Sequence, residues 1–171
     1  MTRRTPLLAA TAFLALAGCN RSADEQAAAP EPVLTTNAVP TADAAGQPLT
    51  PGSWRIEETA AGASAAFIGA DNAPLLRVTC RRDDRAVMLV RSGAGSDATM
   101  FRVEAGGLTA NVEMMPSPAN PAELEAVVDP TEPIFAAFAD PAASIVVSAP
   151  GAPTLRLPTH TGSSRVIQAC S

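Results

Sequence analysis

The sequence predicts a mainly β protein: an antiparallel sandwich or a partly open barrel of about eight strands, with short helices near the C-terminus. Two observations predict this class. From residue 52 onwards, short segments alternate apolar with polar side chains, which is typical of strands with one buried face. Turn-forming residues separate these segments at short intervals, as they do in all-β sandwiches and barrels.

The first strand is predicted to open at Trp54, which is the only tryptophan. The alternation is clearest in "LLRVTC" (75–80), where every second residue is apolar up to Cys80. Such a period of two places the apolar side chains on one face of a strand. The other predicted strands are 63–69, 86–92, 99–105, 108–114, 144–149 and 154–158.

The connections between these strands carry turn chemistry. "RRDDR" (81–85) is predicted to be a charged, solvated hairpin tip, and Gly106-Gly107 suits a two-residue turn. The glycine-rich "SGAGSDAT" (92–99) lacks the Gly-Lys-Ser/Thr end of a phosphate-binding loop. We therefore expect a mobile hairpin loop at that point.

Proline punctuates residues 116–143, and two short helical pieces are predicted there. In the second piece Asp129 can cap a helix, Pro130 fits its first position and Glu132 lies three residues after the cap. Phe135 and Phe138, three residues apart, face the same side and are expected to cover one opening of the sheet. A further helix of about two turns is predicted over "SSRVIQAC" (163–170).

Residues 1–18 have the composition of an export signal. Arg3 and Arg4 precede an apolar run, 7–16, which is shorter than the roughly 20 residues that a membrane-spanning helix needs. The run ends in "LAGC" (16–19), which resembles the lipobox of bacterial lipoprotein precursors. An unprocessed N-terminal helix with a free thiol is the alternative.

The lipobox resemblance implies that Cys19 becomes the first residue of the mature chain. Its thiol would carry a diacylglycerol and its amino group a further acyl chain such as palmitate. Two or three acyl chains, at about 0.8 kcal/mol for each buried methylene, anchor a protein firmly in a membrane. Asn20 after the lipidated position favours the outer over the inner membrane, so the predicted location is the periplasmic face of the cell envelope.

Residues 19–51 are predicted to be a disordered, lipidated tether. This segment is rich in alanine and proline and has no aromatic residue, so it cannot bury enough apolar surface to offset its ordering entropy. The predicted organisation is therefore a signal peptide (1–18), a tether (19–51) and one β-rich globular domain (52–171).

The remaining cysteines, Cys80 and Cys170, form an even pair in an oxidising compartment. They predict one disulfide; two buried free thiols are the alternative. Removing Arg3 and Arg4 with the signal takes the formal net charge from −5 to −7. An acidic surface argues against nucleic acid as a partner, because phosphates need a basic face.

The order of features resembles that of VasI-type proteins linked to type VI secretion: an early tryptophan, a strand ending "L-x-V-x-C", a late apolar helix before a strand pair, and a terminal helix ending in cysteine. The tail "RVIQAC" (165–170) also resembles small alphaproteobacterial lipoproteins that finish in "RVI-x-x-C". Both resemblances imply a strand-rich domain with two cysteines rather than a particular activity.

No residue pattern predicts catalysis or a metal. A Ser-His-acid triad would need His160 with Ser163 or Ser164, and no G-x-S-x-G turn surrounds any serine. One histidine and two distant cysteines do not make a zinc site, and Met114 and Met115 would point to opposite faces of a strand instead of binding one copper ion. Adjacent carboxylates such as Glu57 and Glu58 would likewise face apart.

Arginines at 81, 82 and 85 are offset by two aspartates, so an anion site there is not expected either. The predicted function is a non-catalytic, membrane-anchored module, without cofactor or metal, that binds a protein or another envelope component. Inhibition of a cell-wall hydrolase is a special case of that function. The alternative is a carrier of a small apolar ligand in the barrel mouth under Phe135 and Phe138. The sequence leaves the partner, the ligand and the oligomeric state open.

Overall fold

A computed structural model of the chain describes residues 40–60 and 62–170. The predicted signal peptide, Cys19 and the tether up to residue 39 lie outside these residues. None of the helices that are described has the length and apolar character needed to span a membrane.

In the described part of the chain, nine antiparallel strands form one sheet that curls into a half-barrel. The mainly β prediction is confirmed, and the partly open barrel, rather than two facing sheets, describes the architecture. The strands are β1 (Gly52–Thr59), β2 (Gly62–Gly69), β3 (Pro74–Arg81), β4 (Ala86–Ser92), β5 (Thr99–Ala105), β6 (Leu108–Pro116), β7 (Glu123–Val128), β8 (Ser144–Ser148) and β9 (Leu155–Pro158).

The strand order in the sheet is β1-β2-β3-β4-β7-β6-β5-β8-β9. The first four strands form a meander, and β7 then inserts between β4 and β6. The loop over 93–98 therefore joins two strands that are not neighbours, so the prediction of a hairpin loop there was wrong. The crossing is needed because β7, which comes later in the chain, takes the place beside β4.

Three short helical elements cover the concave face of the sheet. They are α1 (Pro133–Ala136), a 3-10 turn (Ala137–Ala139) and α2 (Thr161–Gln168). The rings of Phe135 and Phe138 pack edge to face with centroids 5.5 Å apart, and both side chains are buried. Each buried aromatic side chain stabilises the fold by roughly 1.5–3 kcal/mol. These two phenylalanines therefore fill the space on the concave face of the sheet.

The concave face is packed with side chains that alternate along the strands. Phe67, Phe101, Leu89 and Leu157 are fully buried and belong to one continuous cluster that also includes both helices. The alternation seen in the sequence is thus the alternation between the filled core and the outer face.

Strand β7 differs from the sequence prediction, which placed a short helical piece in this region. Glutamate, leucine and alanine in "ELEAVV" favour helices locally. The segment instead pairs with β4 from Val87↔Val128 to Ser92↔Glu123, and its Leu124 is fully buried. A six-residue segment between two turns is too short for a stable isolated helix, so the vacant position in the sheet decides its conformation.

The capping box predicted at Asp129 is also absent. The Asp129 carboxylate accepts hydrogen bonds from the amide and hydroxyl of Thr131 at 2.8 and 2.7 Å, which makes a local turn instead of a helix start. The helix α1 begins four residues later at Pro133, with Glu132 as its N-cap. The predicted C-terminal helix is present as α2, and it begins at Thr161, two residues earlier than predicted.

Residues 40–51 are ordered against the domain and not part of a free tether. Leu49 is buried, the amide of Thr50 donates to the carbonyl of Arg156 at 2.8 Å, and Asp43 forms a salt bridge with Arg156 at 2.9 Å. One buried leucine and one ion pair hold a segment whose composition alone suggested disorder. The folded domain therefore begins about ten residues before the predicted boundary at 51.

Two predicted turns are confirmed. Gly106 and Gly107 join the closing pair Ala105↔Leu108 of β5 and β6, and both have positive φ, 56° and 78°, which a two-residue hairpin turn of this hand requires. The charged tip over 82–85 joins β3 to β4, and its residues are exposed.

Candidate functional site

The disulfide between Cys80 and Cys170 is present, as the sequence predicts. Their Cα atoms are 5.6 Å apart and 90 positions separate them in the chain. Cys80 ends the buried face of β3, and Cys170 follows α2. The bond therefore holds the C-terminal helix against the first half of the sheet, and its role is structural.

His160 caps the helix α2. Its Nδ1 accepts a hydrogen bond from the amide of Gly162 at 2.9 Å. The hydroxyls of Ser163 and Ser164 donate to the carbonyls of His160 and Thr161 at 2.6 and 3.0 Å. Neither of these serine hydroxyls is hydrogen-bonded to the imidazole within the described residues, and the residues considered for a triad form an N-cap.

The other candidate chemistry is also dispersed. Arg81 pairs with Asp84 at 2.6 Å, and Arg82 donates to the carbonyl of Ala60, so these guanidinium groups do not converge on a site. Met114 is fully buried while Met115 is 53% exposed, which places them on opposite faces as expected. Across residues 40–60 and 62–170, no three His, Cys, Asp or Glu side chains are grouped as metal ligands.

Arg91 is a buried cation that the sequence reading missed. It is only 2% exposed, and its guanidinium donates to the carbonyls of Leu75 at 3.2 Å, Pro153 at 3.1 Å and Ser92. Burial lowers its pKa, because the charged form loses water. The alternation along β4 could have revealed this burial, because Arg91 lies on the same face of the strand as the buried Val87 and Leu89.

The contacts of Arg91 connect distant parts of the curved sheet. Leu75 lies on β3 and Pro153 lies in the loop between β8 and β9, which are far apart in the strand order. The guanidinium Nε has no partner among the described residues, and the three bonds that do form use backbone oxygens. Arg91 is therefore a structural tie across the half-barrel.

The outer face of the sheet carries a set of uncovered apolar side chains, which we call the outer strip. Val127 is 68% exposed, and Met100 and Met115 are 52% and 53% exposed. The half-buried Met88 completes the set, because it pairs with Val127 across β4 and β7. The strip thus crosses four adjacent strands in the order β5, β6, β7, β4.

Two carboxylates lie within the outer strip. Glu113 is directly opposite Met100, and Glu125 is directly opposite Met115. Neither makes an ion pair with another described residue. The strip is therefore an apolar surface with unpaired negative charge.

The neighbouring part of the outer face is covered. Arg77 reaches Glu123 at 3.0 Å, and Ser92 donates to the same carboxylate at 3.2 Å. Val90, which is paired with Arg77, is only 5% exposed. The aliphatic part of an arginine can cover apolar surface in this way, and the outer strip has no such cover.

A cleft of about 650 Å³ lies beside the start of β1. The indole of Trp54 forms part of its wall and donates from Nε1 to the carbonyl of Pro158 at 2.7 Å. Its edge packs on Phe67 with ring centroids 5.5 Å apart. Other residues that line the cleft include Pro40, Asp43, Leu49, Pro141 and His160.

The Asp43 carboxylate and the His160 imidazole of this cleft are already engaged in the fold. The Asp43 carboxylate accepts from the amides of Gln47 and Ala45 at 2.8 and 3.0 Å and from the guanidinium of Arg156. The Gln47 amide is the largest of these influences, and together they lower the pKa of Asp43 below its ordinary value of 3.8. The cleft thus offers mainly apolar contacts.

Comparison with known proteins identifies no family. No protein-family model matches the chain, and no curated protein matches it. One solved structure that resembles it is the crystal structure of invasion associated protein B from Bartonella henselae, with 18% sequence identity and a TM-score of 0.39. The match covers 71% of this chain and 93% of that one, and a likeness this distant carries no information on activity.

Proposed function

We propose that this protein is a lipid-anchored module on the periplasmic face of the cell envelope that binds another protein and catalyses no reaction. Cys19 is the proposed anchor, with the outer membrane favoured by Asn20. The observation that carries the binding role is the outer strip, an uncovered apolar surface on a well-packed sheet. The anchor is supported by the lipobox resemblance of residues 16–19.

The filled interior supports recognition on the outside of the domain. Phe101, Phe135 and Phe138 occupy the concave face and are almost completely buried. A carrier with its ligand in the barrel mouth needs a space of a few hundred Å³ there, and the space under Phe135 and Phe138 is taken by core side chains. A partner would therefore bind to the exposed outer surface of the domain.

The outer strip indicates the chemistry of that partner. Methionine is flexible and polarisable, so it adapts to apolar side chains of different shape. Glu113 and Glu125 lie among the apolar residues without a cation of their own. A protein surface that presents apolar side chains beside arginine or lysine would complement both features.

The tether supports this role by giving the domain reach. Of the tether predicted over 19–51, residues 19–39 precede the described part of the chain. A flexible coil of that length spans roughly 25 Å, which holds the domain near a membrane without pressing it against the lipid. A partner in the envelope would be met at a high local concentration.

Photo-crosslinking in the native cell tests the binding surface. A photoreactive residue at Asn111, which lies on the same outer face beside Met100, should capture a second protein. Met115→Lys should abolish the adduct, whereas Leu108→Lys, a change of another exposed apolar residue on the β5–β6 hairpin, should preserve it. Both variants should fold normally, since exposed substitutions usually change stability by less than about 0.5 kcal/mol. Equal adducts in the two variants would contradict the proposal.

Metabolic labelling tests the anchor separately. Labelled palmitate should mark the wild-type chain and leave Cys19→Ser unmarked. A wild-type chain without label, or a mature amino terminus other than residue 19, would refute the anchor but leave the binding surface standing.

Carriage of a small apolar ligand is the second candidate function, and the cleft beside Trp54 favours it. A fatty acid entering the cleft would contact the indole and Leu49 and should shift the emission of the only tryptophan. Native mass spectrometry should then show the ligand bound to the purified protein. An unchanged emission spectrum together with a ligand-free mass would exclude this candidate.

A further inference from the structure

The two edges of the sheet are treated differently by the fold. The edge formed by β9 is covered: the amide of Thr50 donates to the carbonyl of Arg156 at 2.8 Å, and the amide of Arg156 donates to Oγ1 of Thr50 at 3.0 Å. Asp43 then holds the Arg156 side chain. The segment 40–50 thus closes this edge.

The edge formed by β1 is open. Its eight residues pair only with β2 in the sheet, and no backbone hydrogen bond from elsewhere in residues 40–60 and 62–170 reaches its far side. From Glu57 to Thr59 its residues are exposed on both faces. An uncovered edge strand of this length is a template for a further strand.

The hydrogen bonds of β2 show which groups of β1 are free. The amide of Gly69 donates to the carbonyl of Ala73 at 2.8 Å, on the side of β3. Backbone groups alternate in direction along a strand, so Ile68 and every second residue before it face β1. Their partners Ser53, Arg55 and Glu57 therefore bond to β2.

The intervening residues of β1 then direct their amides and carbonyls to the open edge. These residues are Trp54, Ile56 and Glu58. A second strand could accept and donate at all three positions without disturbing the pairing with β2.

Charge selects how a second copy of β1 would fit against this edge. A two-fold axis perpendicular to the sheet makes two copies antiparallel with the same faces aligned. An axis through Arg55 would place Arg55 opposite itself, and an axis through Glu57 would place Glu57 opposite itself. An axis through Ile56 instead places Arg55 opposite Glu57 twice, and neither residue has an ion-pair partner among the described residues.

We propose that two copies of this chain associate through antiparallel pairing of β1 with β1, with the two-fold axis at Ile56. Ile56 pairs with its own copy and Trp54 pairs with Glu58, which gives about six backbone hydrogen bonds. Arg55 and Glu57 occupy the non-hydrogen-bonded positions, where side chains on facing strands come closest. The two sheets join into one continuous sheet across the axis.

Disulfide trapping in the native envelope tests both the association and its register. In the proposed register Ser53 lies opposite Thr59, so the full chain with Ser53→Cys and Thr59→Cys should form a covalent dimer on a non-reducing gel. The matched control is Pro51→Cys with Thr59→Cys, which keeps Arg55 and Glu57 and would bring the two cysteines opposite each other only if the axis passed through Arg55; it should stay monomeric. Both substitution sites are exposed in each pair.

Charge reversal supplies the second measurement. Arg55→Glu in the trapping background should weaken dimerisation roughly tenfold, because two attractive contacts become repulsive. Adding Glu57→Arg should restore the covalent dimer. Mass spectrometry checks that Cys80 and Cys170 remain paired in every variant.

Three results would overturn the proposal. One is a trapping variant that stays monomeric although its native disulfide and strand content are intact. Another is equal trapping in both registers, or trapping that Arg55→Glu does not reduce. The third is a covalent adduct with the mass of a different protein, which would assign the open edge to that partner.

Discussion

Reducing the Cys80–Cys170 disulfide should remove a large part of the stability of the domain. The bond closes a loop of 90 positions, and the loss of chain entropy for a loop of that size stabilises the folded state by about 4–5 kcal/mol in the chain-entropy model. Folded domains are stable by roughly 5–15 kcal/mol in all. Reduction should therefore lower the urea concentration at the unfolding midpoint by a large amount. In the absence of urea the reduced domain should be folded or only marginally stable.

Trp54 is a suitable reporter for this experiment. It is the only tryptophan, it is half-buried, and its indole is held by the carbonyl of Pro158 and the ring of Phe67. Its emission should shift to longer wavelength when β1 separates from β9. Urea unfolding followed by this signal, with and without a phosphine reductant, measures the difference in free energy of unfolding.

A matched variant separates the bond from the reductant. Cys80→Ala with Cys170→Ala should unfold near the midpoint of the reduced wild type, apart from the cost of two small cavities, and the reductant should not move it further. A change of less than about 1 kcal/mol on reduction of the wild type would refute the entropic reasoning. It would mean either that the unfolded ensemble keeps α2 close to β3 without the bond, or that the packing of α2 on the sheet stabilises the fold without help from the disulfide.

Three further predictions concern single residues. Arg91→Met should destabilise the fold by about 2–4 kcal/mol, since buried carbonyls lose their donor; urea unfolding measures this, and a neutral result would show that water replaces the guanidinium. Because the pKa of Asp43 is lowered in the folded state, its contribution to stability is complete above the ordinary value of 3.8 and is lost as the pH falls through the lowered one. The protection factor of the Thr50 amide against hydrogen exchange should therefore fall in acid, and Asp43→Asn should lower this protection factor at every pH; unchanged protection in the variant would contradict this. Gly62→Ala should destabilise the β2–β3 pairing, because its Cβ would stand 2.0 Å from the carbonyl oxygen of Cys80, and a melting temperature equal to wild type would show that the strand moves aside at no cost.

Sequence alternation was sufficient where one face of a strand meets the core and the other meets water. Met114 and Met115 illustrate this, since one is fully buried and the other half exposed. The pairing of Cys80 with Cys170 followed from compartment and cysteine number alone. Local glycine chemistry was equally sufficient for the turn at Gly106.

The failures came where tertiary contacts override local preference. Strand β7 has a helix-forming composition, and only the position between β4 and β6 makes it a strand. Asp129 serves equally well in a turn or at a helix start, so its neighbours do not decide between them. Residues 40–51 look disordered by composition, yet Asp43 bonds to Arg156, 113 positions away in the chain, and Leu49 is buried.

The candidate surfaces could be predicted only in part. Alternation predicts that Met114 and Met115 point to opposite faces, but the sequence predicts neither that Val127 lies on a strand nor that β6 and β7 are neighbours. The open edge of β1 depends on the whole strand order, because β1 is an edge strand only if no other strand pairs with its second side. Arg91 could have been found from its parity, although its three carbonyl partners lie on separate segments.

The insertion of β7 between two earlier strands imposes an order on folding. During synthesis the meander from β1 to β4 is complete before β7 exists, so the free edge of β4 stays unpaired until residues 123–128 have been made. In that interval the edges of β4 and β6 that β7 will cover are exposed, and Cys80 has no disulfide partner because Cys170 lies later in the chain. A nascent chain of this topology is therefore prone to aggregation before β7 pairs, and we expect it to depend on holdase chaperones until then.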